Sequence, residues 1–88
     1  MSDSSHDDAL RDAHRAALAH ARAGDWKAAH EIVQRESDPF SASIHAYLHR
    51  VEGDTANAAY WYRRANEPLA TGAPEEELAA LESRLESR

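Results

Sequence analysis

Apolar residues recur every three or four positions in five stretches of this chain, and nowhere do they alternate. That period is helical. It predicts helices over residues 4–23, 25–36, 39–52, 55–66 and 74–87, an all-α fold in a single domain spanning 1–88. Leu10, Ala17, Leu18 and Ala21 share one face of the first helix, with His14 among them. Trp26, Ala29, His30 and Val33 mark the second, and Phe40, Ile44, Tyr47, Leu48 and Val51 the third. Ala58, Trp61, Tyr62 and Ala65 mark the fourth, and Leu78, Leu81 and Leu85 the fifth.

The breaks between these faces carry helix punctuation. Ser4 or Ser5 can cap the first helix, with Asp7 and Asp8 placed to suit its dipole. Gly24-Asp25 and Gly53-Asp54 each join a residue that ends helices to one that starts them. Asp38 caps the third helix with Pro39 at its first position. "NEPLATGAP" supplies a loop at 67–73 before Pro74, and Glu75, Glu76 and Glu77 form a solvated first turn. Arg84 and Arg88 stand at the other end of that helix. Residues 1–4 are polar and are expected to be a flexible N-terminus.

The paired Gly-Asp signals expose an internal repeat. "GDWKAAHEIVQRE" and "GDTANAAYWYRRA" align without a gap, and upstream Leu10, Leu18 and Ala21 align with Phe40, Leu48 and Val51. The chain thus reads as two helical hairpins and a closing helix. The second unit, with Gly53, Asp54, Ala58, Tyr62 and Ala65, resembles the second half of a tetratricopeptide repeat. In the first unit Gly24, Trp26, Ala29 and Val33 fit, but Glu36 stands where the pattern has Ala, and the first helices lack the Trp-Leu-Gly signature. The stretch from "HAYLHR" to "YWYRRA" also resembles short uncharacterised bacterial proteins. The resemblance implies helical hairpins and, more weakly, a peptide-binding role.

Composition narrows the functions. The formal net charge is −6 and the basic residues are scattered, which excludes a nucleic-acid-binding face. No apolar run approaches the roughly 20 residues of a membrane span, and there is no secretion signal, so a cytoplasmic protein is expected. With no cysteine there is neither a disulfide framework nor thiolate chemistry.

Six histidines stand out in so short a chain. His45 and His49, four apart in "HAYLHR", lie on one helix face opposite Phe40 and Ile44. Two imidazoles at that spacing can reach one ion, as in the H-E-x-x-H motif, but Ala46 replaces the Glu that would act as general base. His30 is the best third ligand, with His14 behind it. The first reading is a small non-catalytic protein-interaction module or homodimer with no metal or other cofactor. Its ligand or interaction face would carry His45, His49 and Tyr60. The alternative is a metal- or small-ligand-binding protein, with an enzyme as its extension, holding Zn²⁺ or another divalent metal on His30, His45 and His49. Convergence of those three histidines beside an open cleft would favour the alternative. Separate packing against Trp and Tyr would favour the first reading.

Overall fold

A computed structural model describes residues 4–87, with side chains from residue 7 onward. Five α-helices make up the fold: α1 (Ser4–Arg22), α2 (Trp26–Val33), α3 (Pro39–Glu52), α4 (Thr55–Arg64) and α5 (Pro74–Glu86). No strand occurs among the described residues. The fold is all-α, and helix ends fall within a few residues of those the periodicity predicts. The capping side chain at the start of α1 lies outside the described residues, as does Arg88.

The Gly-Asp repeat is a repeat of backbone geometry. Gly24 and Gly53 have φ of 83° and 89°, the left-handed conformation that closes a helix without a Cβ penalty. The amides of Gly24 and Asp25 return to the carbonyls of Ala21 and His20. Those of Gly53 and Asp54 return to Arg50 and His49. This is the Schellman closure. Asp25 and Asp54 then have nearly the same dihedrals, φ −93°, ψ 77° and φ −92°, ψ 80°. Each accepts the amide three residues on, from Ala28 or Asn57, as an N-cap. A third closure ends α4, where Asn66 takes the left-handed position at φ 60°. Its amide and that of Glu67 return to Arg63 and Tyr62.

α1 packs on α2 and α3 on α4, which fits the expected hairpins, and α3 touches all four other helices. Every residue of α3 from Phe40 to His49 is buried, as its lack of charge predicts. Its apolar side chains join Ala17, Leu18, Ala29 and Val33 in the main core, while Ala46, Ala58 and Tyr62 form a second cluster. Val51 departs from the expected stripe and is 49 % exposed. At its last turn α3 has run past the helices that cover it.

α5 lays Leu78, Leu81 and Leu85 into the main core against α1 and α3. Polar ties fix it there. Glu77 is not the solvated residue its sequence context suggests. It accepts from Arg50 Nη1 at 2.7 Å and from the Tyr62 hydroxyl at 2.6 Å, so α3, α4 and α5 meet at one carboxylate. Burial, followed by that carboxylate, pushes the Tyr62 phenol well above its usual range. Arg50 also donates to the Gly72 carbonyl, pinning the loop that leads into α5. Arg22 bridges Glu75 and Glu82 on the other side.

Leu48→Ala should lose about 2–5 kcal/mol in urea unfolding, because Leu48 is 1 % exposed. Val51→Ala should fall within about 0.5 kcal/mol of wild type. Equal losses would mean that the covered face of α3 is assigned wrongly.

The Gly53 closure gives a second expectation. A Cβ there would meet nothing within 4 Å, so only the backbone conformation opposes substitution. Gly53→Asn should therefore be milder than Gly53→Val, since Asn tolerates the left-handed region and a β-branched residue does not. Equal melting temperatures for the two variants would contradict the closure.

Candidate metal centre

Two helices bring the histidines together. Asp25 starts α2 so that Trp26 and His30 stand one turn apart on the side facing α3. The Trp26 indole N–H donates to the Leu48 carbonyl at 2.6 Å, locking α2 against the C-terminal half of α3. The Trp26 ring stacks on His30, with centroids 4.7 Å apart and planes 9° apart. On α3, His45 and His49 stack on each other at 5.0 Å, and Trp61 of α4 stacks on His45 at 3.9 Å. His30 meets both edge-on, at 4.7 Å to His45 and 5.4 Å to His49.

The donor atoms converge. One ring nitrogen from each of His30, His45 and His49 lies within 4.8 Å of the others. His30 Nε2 and His45 Nε2 are 3.0 Å apart. Two nitrogens that close, each about 2.0–2.1 Å from a shared ion, subtend ~94° at it, which a small opening brings to the tetrahedral angle. The wider pairs must close toward ~3.4 Å, and His30, which is only half-buried, has the freedom to move.

Protonation favours the same use. Burial, and then the neighbouring His30 and His49, push the His45 imidazole down to about 4. Burial and His49 also lower His30. Both rings are thus neutral near pH 7, the form that ligates metal. His49 Nδ1–H donates to Glu52 Oε1 at 3.1 Å, which would leave Nε2 to face an ion. His45 has no such partner, since its Nδ1 is buried without a hydrogen bond among the described residues. Ligation through Nε2 would keep a proton on that nitrogen, an orphaned donor costing about 1–3 kcal/mol. That cost is small beside the roughly 10–16 kcal/mol with which zinc-finger peptides bind their ion.

Three imidazoles without carboxylate or thiolate suit zinc, copper or nickel rather than calcium or magnesium. His45 and His49 are 4 % and 8 % exposed, so an ion would enter past His30. Three cavities, of about 310, 400 and 360 Å³, lie along α1 and α5 and under the loop before α5, the first lined in part by His14 and all away from His30, His45 and His49. The arrangement therefore mixes both outcomes expected from sequence. The histidines converge, yet His30 and His45 stack on tryptophans and none of the three lines these cavities.

Tyr60 is separate. It is 41 % exposed, packs edge-on against Trp61 and accepts a hydrogen bond from Arg64. Because His45 and His49 are buried, the outer face expected to carry all three holds Tyr60 alone. A second acidic grouping, His49 with Glu52 and Asp54, is already committed, because both Asp54 oxygens serve Asn57 at the start of α4.

One constellation escapes the sequence reading. His14 Nε2 lies 2.9 Å from Asp38 Oδ2 and 3.1 Å from Ser41 Oγ, and the Ser41 hydroxyl donates to Asp38 Oδ1 at 2.6 Å. This is a Ser, His and Asp together, but not a nucleophilic triad. A triad places the hydroxyl and the carboxylate on opposite imidazole nitrogens. Here one nitrogen serves both, the serine proton goes to the carboxylate, and Ser41 is buried. The cluster ties α1 to the N-terminus of α3. Burial would raise Asp38, but hydrogen bonds from Ser41 and His14 outweigh it and hold the carboxyl below its usual range. The sequence clue is Ser41 three residues after the cap Asp38, on the one helix start where the third residue is itself polar and buried.

Comparison with known proteins adds no relative: no family model, no curated protein and no solved structure matches the chain.

The depressed His45 gives a pH prediction for chelator-treated protein. Its folded value of about 4 lies below the unfolded value of about 6.5. The unfolded chain therefore binds the proton first. Stability is full above pH 6.5 and declines as pH falls toward 4, by about 1–3 kcal/mol from this residue. His45→Gln should flatten the slope of unfolding free energy against pH in that interval. An unchanged slope would mean that His45 is not held neutral by burial.

Proposed function

We propose that this protein binds one divalent late transition metal, with Zn²⁺ as the reference ion, through His30, His45 and His49. The ion serves as a non-catalytic clamp between the first and second helical hairpins. The observation that carries this reading is the convergence of three imidazole nitrogens within 4.8 Å of one another. They come from two units, α1–α2 supplying His30 and α3–α4 supplying the other two. A bound ion would cross-link them where Trp26 already reaches the Leu48 carbonyl. Burial of the site and the missing general base at Ala46 support a structural rather than a hydrolytic role.

A short helical-repeat array leaves an apolar face that either its closing helix or a second chain can cover. α5 covers that face with Leu78, Leu81 and Leu85, which removes the need for a second chain there. The metal reading therefore ranks first.

Melting of untagged protein at pH 7.5 tests it. EDTA should lower the midpoint by at least several degrees and added Zn²⁺ should restore it. An ion present at 1,000 times its Kd contributes about 4 kcal/mol, and each kcal/mol moves a domain of this size by about 4–8 °C. His45→Gln combined with His49→Gln should abolish the response. Coincident melting with and without EDTA, and after Zn²⁺ addition, would reduce the cluster to packed histidines.

A further inference from the structure

Glu52 stands in an unusual place for a carboxylate. It is the last residue of α3, immediately before Gly53 turns left-handed, where the helix dipole disfavours negative charge. Lys, Arg or His would suit that position, and Arg50 and His49 occupy the same turn. The Glu52 side chain is 47 % exposed, so solvent screens that cost, and what gives it one orientation is a side-chain partner. Arg50 is not that partner, since its guanidinium is engaged by Glu77 and the Gly72 carbonyl. The partner Glu52 has is His49 Nδ1, at 3.1 Å.

We infer that Glu52 is the positioning residue of the metal centre: its carboxylate holds the proton of His49 on Nδ1 and turns Nε2 toward His30 and His45. This rests on the metal reading above. A metal-bound histidine commonly donates its other ring N–H to a carboxylate or carbonyl, which fixes both tautomer and ring orientation. His49 is the one member of the trio with such a partner, because His30 and His45 face each other and His45 Nδ1 has none. Glu52 acts as an orienting group rather than a fourth ligand. It sits on Nδ1, and a ligand role there would need Asp54, whose two oxygens are held by Asn57. The i, i+3 spacing lets one helix supply both the ligand and its support. The neighbouring stack of His45, with Trp26 edge-on, keeps the His49 ring from turning away.

The test uses the full chain with Glu52→Ala and Glu52→Gln, titrated with Co²⁺ and followed by its visible absorption. Two-bond ¹H–¹⁵N spectra of the histidine rings are recorded on the metal-free proteins. Wild type should bind Co²⁺ and carry the His49 proton on Nδ1. Glu52→Ala should bind about 10–100-fold more weakly, lose the fixed tautomer, and melt close to wild type without metal. Glu52→Gln keeps a carbonyl acceptor and should retain both the tautomer and most of the affinity. The inference is overturned if wild-type His49 carries its proton on Nε2, or if Glu52→Ala binds as tightly as wild type. It is equally overturned if Glu52→Gln loses as much affinity as Glu52→Ala with an altered Co²⁺ spectrum, which would make Glu52 a ligand. Failure of wild type to bind Co²⁺ at all would remove the metal reading and this inference with it, an outcome distinct from the other three.

Discussion

The constraint on which this structure depends is the enclosure of α3. Ten successive residues, Phe40 to His49, are buried, and four of them are polar: Ser41, Ser43, His45 and His49. Buried polar groups need partners or they cost more than packing returns. Ser43 solves its problem locally, donating to the Pro39 carbonyl. His49 pairs with Glu52 on its own helix. Ser41 and His45 look outward, and the α1–α2 unit answers with one imidazole at each end of α3. His14 meets Ser41 and Asp38 at the N-terminal end, and His30 meets His45 at the C-terminal end. The two hairpins are thus held in register by histidines as well as by aliphatic contact. Of the two groups, the C-terminal one is built of three imidazoles.

Closure by α5 follows from the same geometry. α1 and α3 share an apolar side, and a short helical array cannot shield such a side unaided. The leucines of α5 fill it, and the Glu77 carboxylate draws Arg50 and Tyr62 to the same spot. A carboxylate with two charge-assisted or phenolic donors is well satisfied despite its burial. The closing helix is therefore positioned by direction as well as by hydrophobic area.

Local signals were legible in the sequence because they depend on neighbours in the chain. Both Gly-Asp pairs, the Asp38-Pro39 start and the leucines of α5 read directly into structure. The third Schellman closure was hidden because Asn66 replaces glycine and no Asp follows it. Val51 continues the α3 stripe by period alone, and periodicity does not report where the covering helices end. Glu77 was misread for a related reason: its partners Arg50 and Tyr62 are 27 and 15 residues away. The candidate site divides in the same way. The His45–His49 pair is a matter of helical spacing, and His30 could be named only as a candidate. Its stacking on Trp26, the Trp61 lid and the His14–Asp38–Ser41 tie are tertiary. Glu52 was readable at three residues from His49, but the spacing acquires meaning only once His49 faces two other imidazoles.

Native mass spectrometry of untagged protein, expressed with and without zinc in the medium and sprayed at neutral pH, tests the central claim most directly. The account predicts one tightly held divalent ion per chain in the zinc-supplemented sample, lost from the variant carrying His30→Gln, His45→Gln and His49→Gln while that variant remains folded. A wild-type chain that carries no ion after zinc supplementation, or a triple variant that retains one, would contradict it.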